Sequence, residues 1–151
     1  MKVLIIGGCG YVGSAIGKHL ADKHEITNID LEWFGNHSYA HTINMDYNDL
    51  TPKFLEKFNV VVLTAGHSSV KMCDTDLQSS FNNNVRNFVN LTNKLTTQKF
   101  IYASSASVYG NTSDTDLAED NVNFSPINYY DMTKLHIDHI MHLSPLDYYG
   151  L

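Results

Sequence analysis

A chain of 151 residues with 43% hydrophobic and 17% charged content is long enough to bury one core, and its composition excludes disordered and fibrous classes. The formal charge of −6 and a pI near 5.6 argue against a non-specific nucleic-acid or anionic-membrane binder. No apolar run approaches the ~18 residues of a membrane span, and the apolar residues before Gly7 are too few for a signal-peptide core, so a cytoplasmic chain is expected.

Short apolar runs alternate with longer helical patterns, which predicts one α/β domain over 1–151: a doubly wound parallel sheet of the Rossmann type, covered on both faces. Strands are expected at 2–6, 25–30, 42–46, 60–63, 99–103 and 147–151. Helices are expected at 11–22, 77–96 and 129–143, the second on the near-helical spacing of Phe81, Val85, Phe88, Leu91 and Leu95. A short helix over 52–58 has Thr51 as its N-cap and Pro52 in the first helical position. The polar stretch 110–126, with Asp114, Asp116, Glu119 and Asp120, reads as a solvated loop long enough to be functional. The final run, after Pro145, reads as a strand that starts and is cut off, so the domain is expected to be truncated in or near strand six.

The first strand runs into Gly7-Gly8-Cys9-Gly10-Tyr11-Val12-Gly13, which satisfies both G-x-x-G-x-x-G and G-x-G-x-x-G. Glycine serves three needs in such a segment: a tight strand-to-helix turn, close backbone approach to a pyrophosphate, and close helix–strand packing. The free N–H groups and helix dipole then supply positive potential without a basic residue. Asp30 ends the next strand, 17 residues after Gly13, near the acidic position expected of a dinucleotide site. Its carboxylate suits the adenosine ribose hydroxyls and repels a 2′-phosphate, which favours NAD over NADP. Cys9, inside the cradle, reads as a small filler residue.

The fifth strand leads into Ser104-Ser105-Ala106-Ser107-Val108-Tyr109-Gly110, placing serines at the end of a strand where open α/β sheets hold catalytic groups. Downstream, Tyr130 and Lys134 form a Y-x-x-x-K whose members share one helix face. A tyrosine serving as a base at neutral pH must have its pKa brought from ~10 to ~7, worth ~4 kcal/mol. Burial alone acts the wrong way, so a neighbouring Lys134 ammonium and an oxidised nicotinamide are the groups that favour phenolate. In this arrangement Ser105 positions the substrate oxygen and Lys134 also holds the nicotinamide ribose.

Together these three segments resemble the extended short-chain dehydrogenase/reductases and, within them, the NAD-dependent epimerase/dehydratase family, of which UDP-glucose 4-epimerase is a familiar member. The resemblance covers nearly the whole chain and corresponds to the N-terminal part of such enzymes, with the C-terminal substrate domain absent. It implies an NAD cofactor contacted by Gly7, Gly10, Tyr11, Val12 and Gly13, by Asp30, and by Asp46 and Tyr47 on the adenine side. It also implies contacts from Thr64, Ala65 and Gly66, from the mid-helix Asn84, and from Ala103, Tyr130 and Lys134. The family's spacing puts the catalytic serine at Ser105 rather than Ser104.

The dehydratases and decarboxylases of this family carry acids where this chain has Ala106 and Ser107, which argues against both reactions. What remains is epimerisation at a sugar carbon, with Tyr130 taking the hydroxyl proton and bound NAD taking and returning the hydride. The alternatives are a carbonyl or keto-sugar reductase, or an NAD-binding fragment without catalysis of its own. Ser68-Ser69 stands where some epimerases have a lysine, a departure from the UDP-galactose enzymes. The implied partner is a nucleotide-sugar whose pocket is incomplete in this chain, and a homodimer through 77–96 and 129–143 is implied as well. His136, His139 and His142 invite a metal, but each three-residue step turns the helix face by ~60°. Neither they nor Cys9 and Cys73 have metal-ligand spacing, and no metal is expected.

Overall fold

Four consecutive apolar side chains are all buried only in a central strand covered on both faces, and Val3, Leu4, Ile5 and Ile6 of β1 (Lys2–Ile6) are each at most 2% exposed. The computed structural model describes residues 1–38, 40–111 and 124–151. The other strands are β2 (Glu25–Asp30), β3 (His41–Asn44), β4 (Val60–Leu63), β5 (Lys99–Tyr102) and β6 (Tyr148–Gly150). They form a six-stranded sheet in the order β3-β2-β1-β4-β5-β6, with every pairing parallel. After β3 the chain crosses back to the far side of β1, so the switch point lies between β1 and β4. The expected sheet is present, with strand ends shifted by a residue or two. The acidic residues of the 110–126 loop lie outside the described residues.

The helices are α1 (Tyr11–Leu20), α2 (Pro52–Leu55), α3 (Val70–Thr75), α4 (Leu77–Phe81), α5 (Asn87–Thr92) and α6 (Tyr129–His142). Alternation along the strands divides the core. Leu4, Ile6, Phe100 and Tyr102 pack with Phe88 and Leu91 of α5 and Ile137 and Met141 of α6, while Val3, Ile5 and Val62 face Ile16 of α1. Thr51 caps α2 by accepting from the Phe54 N–H, with Pro52 following, as the sequence implies.

Two features differ from expectation. The helix expected over 77–96 is α4 and α5 joined by a π-helical turn, Asn82–Arg86, and it stops at Thr92. The turn admits one extra residue, which hydrophobic periodicity does not register. The helix α3 was not expected, although Ser69 is its N-cap, accepting from the Met72 N–H. Among the described residues no helix is long and apolar enough to cross a membrane.

Candidate active site

The glycine segment turns from β1 into α1 at the switch point. Gly7 has φ +90°, and a Cβ there would run into the Ala65 backbone N and lie 2.8 Å from the Thr64 carbonyl carbon. At Gly13 a Cβ would meet the Gly7 carbonyl oxygen and come within 2.9 Å of Gly8 Cα. Thr64 Oγ1 closes the cradle from the β4 side, donating to the carbonyls of Ile6 at 3.1 Å and Gly7 at 3.2 Å. No side chain caps α1 and no acid sits in its first turn, so its N-terminal N–H groups face the cleft with the positive end of the helix dipole.

The cleft above this cradle has a volume of about 610 Å³, within the usual range for small-molecule sites. Gly7, Gly10, Tyr11, Val12 and Gly13 line it, as do Asp30, Tyr47, Thr64, Ala65 and Gly66. The Asp30 carboxylate accepts from the Cys9 N–H at 2.9 Å and the Glu32 N–H at 2.7 Å, so it braces the cradle while facing the cleft. Glu32 has φ 56°, a conformation that this hydrogen bond supports. Burial pushes the Cys9 thiol up, in keeping with a filler role.

Residues that sequence reasoning missed complete the wall: Trp33, Phe34, His37 and Asn83. Trp33 meets the His67 ring edge-on at a centroid distance of 5.6 Å, joining the loop after β2 to the loop after β4. Burial lowers the His67 pKa, and its Nδ1 faces Asn83 Nδ2 at 3.3 Å. The signal available in the sequence was the pair of large aromatics just after Asp30, in a loop with no core to fill.

The cleft does not reach every predicted contact. Asp46 turns its carboxylate inward to cap the 3₁₀ turn Tyr47–Asp49, accepting from the Asn48 N–H at 2.8 Å. The Tyr47 hydroxyl donates to the Asn83 carbonyl, and burial pushes its pKa far up. Asn84, in the π turn, is buried and fully engaged. Its Oδ1 accepts from the His67 N–H at 2.7 Å, and its Nδ2 donates to the His67 carbonyl at 3.0 Å and to Thr133 Oγ1 at 3.1 Å. It keys the β4 loop to α6, while its neighbour Asn83 lines the cleft.

Tyr130 and Lys134 lie on one face of α6, beside the end of β5. Lys134 Nζ donates to the Ala103 carbonyl at 2.6 Å and sits 5.8 Å from the centre of the Tyr130 ring. Burial lowers the Lys134 pKa, opposed chiefly by the charge of Asp138. Ser105 caps the 3₁₀ turn Ala106–Tyr109, and its Oγ lies 2.8 Å from Ser107 Oγ. Ser104 points elsewhere, donating to Asp138 Oδ2 at 2.6 Å. The three α6 histidines are dispersed: His136 Nδ1 is 2.6 Å from the Met132 carbonyl oxygen, and His139 packs edge-on against Phe124.

The chain is similar to proteins of known activity. It is 29% identical to a UDP-glucose 4-epimerase of Lactobacillus helveticus, over 93% of this chain and 46% of that protein. It is 30% identical to Protein CapI of Staphylococcus aureus, over 89% of this chain and 46% of the relative. The chain thus spans about half the length of the curated relatives it matches. Among solved structures, the UDP-glucose 4-epimerase of Brucella ovis, crystallised with NAD, superposes with a TM-score of 0.89 at 26% identity, over 99% of this chain and 50% of that one. The sequence model of the NAD dependent epimerase/dehydratase family matches residues 3–150, and the chain belongs to that family.

Proposed function

We propose that this chain is the NAD-binding and proton-transferring half of a nucleotide-sugar epimerase. The observation that carries the reading is the placement, at the same C-terminal edge of one parallel sheet, of a glycine cradle at the switch point and of Lys134 at the end of β5 near the Tyr130 ring. Gly7 and Gly13 let the turn pack against backbone with no side chain between, and the uncapped N-terminus of α1 lines the cleft, so the residues present fit a bound pyrophosphate.

In this reading the N–H groups at Tyr11, Val12 and Gly13 hold the pyrophosphate, Gly7 and Gly10 shape the turn through the bond from the Gly10 N–H to the Gly7 carbonyl, and Asp30 holds the adenosine ribose. Tyr47 and the Asp46 turn border the adenine side; Thr64, Ala65 and Gly66 run beneath the cofactor, with Asn84 fixing that loop. Ala103, Tyr130 and Lys134 meet the nicotinamide end. NAD, when bound, supplies a reversible hydride acceptor next to the sugar carbon. Tyr130 takes the proton of the sugar hydroxyl, Lys134 favours the phenolate by its charge, and Ser105 Oγ orients the oxygen. Ala106 and Ser107 offer no acid for elimination, which supports epimerisation over dehydration.

The reading includes a pocket completed by residues outside this chain, because the chain spans about half of its relatives and its cleft lies on the cradle side. That same observation supports a second reading, in which the chain alone binds NAD and turns nothing over. We further read the partly exposed Leu77, Phe81 and Met132 on α4 and α6 as supporting a homodimer through this face. Both cysteines are unpaired and buried, which suits a cytoplasmic setting.

Trp33 is the one tryptophan and lines the cleft, so its fluorescence reports cofactor binding directly. NAD is expected to quench it saturably. In a protein that interconverts epimeric UDP-sugars, Tyr130→Phe is expected to abolish turnover and leave NAD affinity within a few-fold. Undiminished turnover would remove Tyr130 from the base role, and no saturable quenching would remove the cofactor reading.

A further inference from the structure

Strand β5 and helix α6 are joined at their active ends by more than Lys134. Asp138 lies one turn beyond Lys134 on α6, on the face it shares with Lys134 and Tyr130. Its two carboxylate oxygens divide between the last residue of β5 and the segment just after it: Oδ1 accepts from the Tyr102 hydroxyl at 2.9 Å and Oδ2 from Ser104 Oγ at 2.6 Å. Between those residues, the Ala103 carbonyl accepts from Lys134 Nζ at 2.6 Å. Three successive residues of β5 and its end are therefore held by two α6 side chains, and the next residue in the chain is Ser105.

We propose that Asp138 is a positioning residue, which locks the end of β5 to α6 and supplies the counter-charge facing Lys134, so that Ser105, Tyr130 and Lys134 keep one geometry. The inference rests on the reading of Tyr130 and Lys134 given above. Both of the carboxylate's donors are neutral hydroxyls, so these hydrogen bonds leave its negative charge uncompensated. Tyr102 stays a donor throughout the working pH range, because burial and then the Asp138 charge push its phenol up. The charged or titratable groups around Lys134 are Asp138 and Tyr130 on its own helix and the buried Cys73 of α3. Cys73 is a protonated thiol at neutral pH, since burial raises it. That leaves Asp138 as the full negative charge that opposes the desolvation of Lys134. The same contact turns Ser104 toward Asp138, whereas Ser105 Oγ bonds within its own turn, to Ser107.

The test compares Asp138→Asn with Ser104→Ala in the chain without cofactor. Lysine Nζ is titrated by NMR on lysine-labelled protein, with Lys134 assigned through Lys134→Arg. Asp138→Asn keeps the shape and one of the two acceptor oxygens but removes the charge. It is expected to lower the Lys134 midpoint so that the ammonium-to-amine ratio falls about tenfold at a given pH. Ser104→Ala keeps the charge and is expected to leave that midpoint in place while lowering thermal stability. A merely structural Asp138 would move the melting temperature in both variants and the midpoint in neither, and that result overturns the proposal. If Asp138→Asn does not fold, Asp138→Ser, which also removes the charge but keeps a hydroxyl at that position, provides the comparison, and an unmoved Lys134 midpoint there overturns the proposal equally. Trp33 quenching by NAD is measured separately in the unsubstituted chain. Failure there sinks the cofactor reading, and an unmoved midpoint sinks the role of Asp138.

Discussion

Two glycines on one helix are expected to respond differently to the same substitution, one with a gain in stability and the other with none or a loss. At Gly13 an added Cβ lies 2.8 Å from the Gly7 carbonyl carbon and 2.9 Å from Gly8 Cα. These separations fall ~0.6–0.7 Å short of the ~3.5 Å at which carbon atoms make favourable contact. Every atom it meets is backbone, so no rotamer change relieves the overlap, and α1 must move away from the cradle. Overpacking of this kind costs about 1–3 kcal/mol, against about 1 kcal/mol that alanine gains over glycine inside a helix. At Gly17, also in α1, the nearest atom is Ile5 Cδ1 at 3.6 Å, an ordinary contact at the end of a side chain. The helix gain therefore stands there alone. Gly17→Ala is expected to raise the melting temperature by about 2–4 °C, the shift that 1 kcal/mol produces in a domain of this size. Gly13→Ala is expected to leave stability unchanged or lower it by up to about 2 kcal/mol, and to weaken NAD binding at least tenfold as the helix N-terminus is displaced. Denaturation followed by circular dichroism gives the first quantity and Trp33 quenching the second. The unfolded chain loses the same freedom in both variants, so that contribution cancels. If Gly13→Ala were stabilised as much as Gly17→Ala, with NAD affinity intact, the cradle would not be sterically closed and the argument would fail.

The remaining expectations follow from single contacts. Asp30→Ala removes the acceptor for the Cys9 and Glu32 N–H groups, and is expected to weaken NAD binding about tenfold to a hundredfold and narrow the preference over NADP. Parallel titrations with the two cofactors check this, and an unchanged NAD-to-NADP ratio would count against it. Tyr47 makes an alkaline prediction: its folded pKa is raised, so its stabilising contribution is complete below the unfolded value of 10.0 and is lost as pH climbs above it. Tyr47→Phe is expected to flatten the fall in stability above pH 10, measured by urea unfolding at several pH values, and an unchanged slope would contradict the assignment.

Much of the fold was legible in the residues themselves because the relevant forces are local. The runs at 3–6 and 60–63 are apolar throughout, and such strands belong in a covered parallel sheet. Gly7 and Gly13 could be singled out because so few backbone conformations and close approaches admit anything else. Tyr130 and Lys134 share a face by helical geometry alone, wherever the helix goes. Tertiary structure decided what those local elements meet. Hydrophobic spacing does not report the π turn at Asn82–Arg86, which turns Asn84 into a brace between the β4 loop and α6 and leaves Asn83 at the cleft. The spacing of the serine segment separates Ser105 from Ser104 only by resemblance; a physical difference between them comes from Asp138, 34 residues from Ser104, reaching one and not the other. Trp33 and His67 join across the cleft only because β2 and β4 flank β1 on opposite sides. Periodicity and turn chemistry act over a few residues and are written in the chain. The partners that orient a site come from strand order and helix docking, which depend on the whole core closing at once.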